Sequence, residues 1–148
     1  MRSEHALFVP AGGGQTLSVL GGTHVNKAIP ADTGGAFSLI ELHLPPRMGP
    51  PAHSHARDSE AFYILEGEIT FETPDGAVTG TIGDVCILPA GGTHAFRNDG
   101  DTTARALVVV SPGEDGHRFF TEVDARVKGP ADFALVPGIA AESGLAFR

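Results

Sequence analysis

His53 and His55 stand two residues apart in PPAHSHARDSEAFYILEGE, and Glu60 follows five positions later. Side chains on an extended backbone alternate between faces, so the two imidazoles point the same way. Glu60 lies past a small polar loop at the start of another extended run. Phe62 and Ile64 share its face, while Ala61, Tyr63 and Leu65 take the other. Further on, GDVCILPAGGTHAFRN supplies His94 at a strand start, just after Pro89 and Gly91-Gly92. Three neutral imidazoles and one carboxylate make a mixed nitrogen and oxygen donor set. It suits one divalent transition ion: iron, manganese, nickel, cobalt, copper or zinc. An ion that accepts six ligands would keep positions for water, dioxygen or substrate. A His-x-His pair alone is weak support, because a chain with 7 histidines often contains one by chance.

These residues must be positioned by strands. The chain has 148 residues, enough for one domain with a real core, and holds 20 Gly and 11 Pro. That much Gly and Pro implies short elements and many turns, so an all-β fold is expected. Strands are read at 16–20, ended by Gly21-Gly22, and at 36–44, ended by Pro45-Pro46. Extended runs follow from His53 through SEAFYILEG, EITFET, AVTGTI, VCIL, THAFRN and TARALVVV, with Pro74-Asp75-Gly76 and Gly83-Asp84 as turns. About eight short strands with turn signals between them predict a β-sandwich or small barrel. Phe119, Phe120, Val123 and Val127 recur at helical spacing, which predicts a helix packed by one apolar stripe. The tail from Pro130 is less regular; AAESG suggests a short helix with Gly144 after its end.

The formal net charge of −8 removes the electrostatic basis for nucleic-acid binding and disfavours anionic membranes. The opening MRSEHALFVPAGGG lacks a basic segment followed by a long apolar one, so no signal peptide is read. No apolar run approaches a membrane span. The lone Cys86 has no internal disulfide partner, which fits a cytoplasmic location.

The two blocks read His53-x-His55-x4-Glu60-x6-Gly67 and Gly83-x5-Pro89-x-Gly91-x2-His94-x3-Asn98. They resemble the two signature motifs of the cupin superfamily. The second block matches at all its fixed positions. The first departs at its opening, where the family pattern has glycine six residues before the first histidine and this chain has Arg47; Gly49 sits two later. The resemblance implies a small antiparallel jelly-roll β-barrel with a C-terminal helix, often a homodimer. It makes residues 1–148 one cupin domain, with a metal-binding core at about 36–111 and a helix and tail at 112–148. It also implies that His53, His55, Glu60 and His94 bind one metal ion inside the barrel. The glycines read as backbone turns rather than phosphate contacts, and Asn98 as a turn residue.

The flanks ADTGGAFSLIELHLPPRMGPPAHSH and SPGEDGHRFFTEV look similar to single-domain cupins of the quercetin 2,3-dioxygenase type. That implies oxidative cleavage of a flavonol or similar enol by dioxygen. Glu60 would be the catalytic base that takes the substrate's hydroxyl proton. By alternation, Phe62, Ile64 and Phe96 are candidates for an apolar substrate pocket, with ordinary core packing as the other reading. A non-redox metalloenzyme, such as an isomerase or decarboxylase, would want basic anchors, for which Lys27, Arg47 and Arg57 are available. A binding module without turnover is the third reading. An apolar pocket favours the oxygenase, and one with extra charged groups favours the non-redox enzyme.

Of the remaining residues, Tyr63 has the wrong parity for the donor face and reads as packing or interface. His43 either lines the pocket or faces solvent. Cys86 reads as a small buried residue, not a thiolate ligand. His5, His24 and His117 have no partner pattern and read as surface or loop residues.

Overall fold

A computed structural model describes residues 4–148; Met1–Ser3, the start of the segment read as lacking a leader, lie outside them. Strands β1 (Gln15–Val19) and β2 (Gly22–Ala28) form an antiparallel hairpin. Its turn places Leu20 at φ 48° and Gly21 at φ 87°, the paired left-handed conformation of a tight hairpin. After a 3-10 turn at Pro30–Thr33 come β3 (Ser38–Leu44), β4 (His53–His55) and β5 (Ser59–Glu66). Then follow β6 (Ile69–Thr73), β7 (Gly76–Gly80), β8 (Val85–Leu88), β9 (Ala95–Arg97) and β10 (Ala104–Ser111). Helix α1 (Glu114–Arg126), a second 3-10 turn, helix α2 (Val136–Glu142) and a short β11 (Leu145–Phe147) complete the chain.

The strands pair antiparallel throughout. A six-stranded sheet runs β1-β2-β3-β10-β5-β8, a three-stranded sheet runs β7-β6-β9, and β11 pairs with β4. Among the described residues the pairing thus forms three sheets rather than one closed ring. An isolated bridge between His53 and His94 lies between the second and third of these.

Strand alternation builds the core. Ile40, Leu42 and Leu44 of β3, Phe62 and Ile64 of β5, and Ala106, Val108 and Val110 of β10 all face inward. Each large side chain so buried contributes roughly 1.5–3 kcal/mol. Helix α1 lays Phe119, Phe120 and Val123 against β1, where Leu17 and Val19 point inward. The apolar stripe predicted from the sequence is therefore present at these three residues, and Val127 lies just past the helix end. Its first turn is fixed by a residue from the donor loop: the buried Asp58 carboxylate accepts hydrogen bonds from Gly113 N (2.8 Å) and Gly116 N (2.7 Å).

Two elements depart from the sequence reading. The first strand does not end the N-terminal structure at Gly21-Gly22, because β2 follows at once. Its inward positions are Gly22, His24 and Asn26, so it carries no apolar alternation to reveal it. The irregular tail closes as β11, three residues long and too short for a periodic signal.

Candidate metal centre

His53 and His55 occupy the buried face of β4, in the pattern their spacing predicts. Their strand is held on both sides. The bridge to His94 is reciprocal, with His53 N donating to His94 O and His94 N to His53 O, each at 2.9 Å. On the other side β11 pairs Leu145 with His55 and Phe147 with His53. Gly91, at φ 84°, turns its N–H onto His55 O at 2.7 Å, which ties the second motif's turn to the first motif's strand. Glu60 comes from the buried face of β5. The four residues are each no more than 5 % exposed.

One possible ligand atom from each of these residues lies within 4.8 Å of all the others. Glu60 Oε1 is 3.1 Å from His55 Nε2 and 3.2 Å from His94 Nε2. Those three atoms are buried and none makes a hydrogen bond, for although they are close they are not aligned for one. Orphaned polar atoms of this kind cost about 1–3 kcal/mol each. Donors about 2.1 Å from a shared ion stand about 3.0 Å apart when adjacent and about 4.2 Å when opposite. Size and chemistry of the set both fit one divalent ion, and an ion would satisfy all three orphaned atoms together. The buried cluster is therefore able to bind a metal ion.

The protons are partly assigned by geometry. His53 Nδ1 lies 2.8 Å from Pro51 O, a carbonyl that only accepts, so Nδ1 carries the hydrogen and the Nε2 lone pair is left for an ion. Burial pushes the His53 pKa down to about 4. For Glu60, burial alone would raise the pKa, but the His55 and His94 imidazoles outweigh it and hold the carboxyl well below the usual carboxylate range. For His55, burial lowers the pKa and the neighbouring Glu60 carboxylate more than compensates, so it lies above its ordinary value.

His53, His55 and Glu60 open onto a cavity of about 40 Å³. Phe62 and Phe96 line it; Ile64 does not, being packed in the core with its Cδ1 against Gly80. The remaining walls come from β1, β2, β3, β10, α1 and β11, with Leu42, Phe119, Phe120 and Phe147 among them. The helix predicted to pack by one apolar stripe also forms part of this wall. His24 is a further correction. Read as a surface or loop residue, it is 8 % exposed and lines the cavity beside Phe120.

Other candidates lie elsewhere. His43 turns outward, half-exposed and 3.6 Å from Glu41, which Arg105 also binds. Lys27 donates to Gly13 O, Arg47 pairs with Asp101, and Arg57 makes a two-pronged contact with Asp115. None of the three basic residues lines the cavity. Tyr63 is exposed on the outer face of β5. Cys86 is half-buried, packed against the core, and burial raises its thiol pKa. Asn98 is a turn residue: its Nδ2 donates to Leu44 O and Thr102 O, and its Oδ1 accepts from Gly100 N.

The family description "Cupin domain" matches residues 40–110, which contain all four donors. The oxalate-binding protein of Thermotoga maritima is 35 % identical over 72 residues, covering 49 % of this chain and 60 % of that protein. Quercetin 2,3-dioxygenase of Bacillus subtilis is 29 % identical over 102 residues, covering 68 % of this chain and 30 % of that protein. The chain thus spans less than two thirds of the length of either relative. Among solved structures, a predicted oxalate decarboxylase from Thermotoga maritima superposes with a TM-score of 0.64 at 25 % identity, covering 71 % of this chain and 98 % of that one.

Proposed function

The chain belongs to the cupin superfamily, and from that premise we propose that it is a metal-dependent oxygenase acting on a compact enol, with the metal held by His53, His55, Glu60 and His94. The antiparallel six-stranded sheet, together with the two smaller sheets that meet at the His53–His94 bridge, supports a small jelly-roll barrel around these side chains. One observation carries the chemical reading. Apart from three of the donors, the cavity lining is apolar with a single polar side chain, His24, and no lysine or arginine. A non-redox enzyme handling a polar substrate would need the basic anchors that Lys27, Arg47 and Arg57 fail to provide.

A bound divalent transition ion would supply Lewis acidity and a template for an enolate oxygen. The protein's own groups do the rest. Glu60 lies on the cavity wall, where its carboxylate can accept the substrate's hydroxyl proton. His53 is kept in one tautomer by Pro51 O. The phenylalanine walls exclude bulk water from the reacting carbon.

Cavity size narrows the substrate. A volume of about 40 Å³ is far below the roughly 300–1,000 Å³ of sites for drug-sized ligands, so the flavonol suggested by resemblance gives way to a much smaller enol. The same small volume, with the likeness to an oxalate-binding protein, favours a second reading in which the site holds a small carboxylate without oxidation.

Oxygen uptake separates the two. Metal-free protein is loaded in turn with iron, manganese, nickel, cobalt or copper and offered small enols such as pentane-2,4-dione. Uptake that depends on one metal and is lost in Glu60→Ala supports the oxygenase. Tight metal and oxalate binding by calorimetry, with no uptake for any metal, replaces it with the second reading.

A further inference from the structure

His24 is an imidazole in a place built for a leucine. Its register neighbours are Leu17 on β1 and Leu42 on β3, and its ring meets Phe120 edge-on with centroids 4.6 Å apart. Its Nδ1 is buried and has no hydrogen-bond partner. Buried polar atoms in folded proteins are nearly always paired, so an unpaired one needs an explanation. Packing provides none, because an apolar side chain would fill the same row without an orphaned nitrogen. The cavity provides one. His24 lines the same space as His53, His55 and Glu60, and it is the one polar side chain there outside the donor set.

We propose that His24 is a substrate-binding residue: it hydrogen-bonds a hydroxyl or carbonyl oxygen at one end of a compact oxyanion, an enolate or carboxylate, whose other end faces the four donors. The proposal rests on the reading of those donors as a metal centre. Burial holds the His24 imidazole neutral, with a pKa of about 4, so it offers one donor and one acceptor and serves either kind of oxygen. A neutral partner, with no lysine or arginine in the lining, matches an uncharged second end rather than a second carboxylate. The cavity of about 40 Å³ limits the ligand further. One water needs roughly 10–15 Å³ on this measure, so the space takes a ligand of only a few heavy atoms.

Two acids of equal size test the idea: 3-hydroxypropanoate, and butanoate, which carries a methyl group in place of the hydroxyl. The full chain is loaded with cobalt(II), its metal content is measured, and each acid is titrated against the visible cobalt bands. The wild-type chain is expected to bind 3-hydroxypropanoate about tenfold more tightly than butanoate. His24→Leu should abolish that preference with cobalt content unchanged, and His24→Gln should keep part of it. In the zinc-loaded wild-type chain, the His24 ring-nitrogen NMR signals should move with 3-hydroxypropanoate and stay in place with butanoate. That measurement stands even if the leucine variant fails to fold. A preference undiminished in His24→Leu, its absence in wild type, or unmoved ring signals would each overturn the proposal. A wild-type chain that takes up no metal would fail at the earlier measurement, and would overturn the metal-centre reading along with it.

Discussion

Phe147 faces His53 across the antiparallel register of β11 and β4, with ring centroids 5.3 Å apart. The donor strand therefore depends on a segment from the far end of the described chain. Arg148 N donates to Ala52 O and Ala56 N to Gly144 O, so the backbone on either side of the two histidines is tied to the same segment.

Removing residues 144–148 should lower metal affinity at least tenfold while leaving the six-stranded sheet in place. Competition against a chromophoric chelator reads the affinity, and far-ultraviolet circular dichroism reads the sheet. Phe147→Ala should show a smaller loss in the same direction, because it keeps the backbone pairing and removes only the ring beside His53. Unchanged affinity in both variants would show that β4 holds its donors without β11.

Asp58 sits between the donors His55 and Glu60 and receives two N–H groups from the start of α1. Hydrogen bonds to a buried carboxylate are worth roughly 1.5–3 kcal/mol each. Asp58→Ala should destabilise the chain by about 3 kcal/mol in urea unfolding, and Asp58→Asn by less. An alanine variant within about 0.5 kcal/mol of wild type would mean that the helix start needs no such cap.

The loop before β4 yields a pair of opposite predictions. A Cβ at Gly49 would overlap the Phe96 carbonyl oxygen and lie 2.7 Å from Arg97 Cα. Gly49→Ala should therefore cost about 2 kcal/mol or more and disturb the approach of the loop to β9. Arg47 has φ 63°, a left-handed conformation that a side chain adopts at a cost of roughly 1 kcal/mol. Arg47→Gly should raise the unfolding free energy by about 0.5–1 kcal/mol, the surface pair with Asp101 contributing little.

His24 should leave a signature in the pH dependence of the metal-free chain. Its pKa is about 4 when folded, against 6.5 for an ordinary histidine. Between those values the unfolded chain binds a proton that the folded one does not, so stability is lost as pH falls from 6.5 toward 4. For one such group the loss is on the order of 3 kcal/mol. His55, with its raised pKa, works in the opposite direction, so the test is a difference. Urea unfolding across this window should show His24→Leu gaining on wild type as the solution is acidified. Parallel curves would mean that His24 takes up its proton in the folded state.

The clustering of His53, His55, Glu60 and His94 was legible because strand alternation and spacing fix which side chains share a face, and the two blocks carry that information locally. Even the departure at Arg47 is instructive: where the family pattern has glycine, the backbone keeps a left-handed φ under an arginine side chain. His24 was hidden for the opposite reason. Its strand shows glycine, histidine and asparagine to the interior, so no apolar alternation marks it, and its significance depends on residues brought from many other elements. Ile64 shows the limit of parity: it shares a face with Glu60 and Phe62, but lies one step too far along β5 to reach the cavity. The pairing of β11 with β4 is a long-range contact between two three-residue strands, and nothing local encodes it.

That last pairing has a kinetic corollary. His53 and Phe147 are separated by most of the chain, and contacts of such long range carry a high loop-closure cost and tend to form late. A partly folded chain in which the sheets have formed but β11 is still free would present an open, wet, poorly ordered donor set. Any ion it met would be held loosely and exchanged quickly. Tight capture would await the final docking of β11 onto β4.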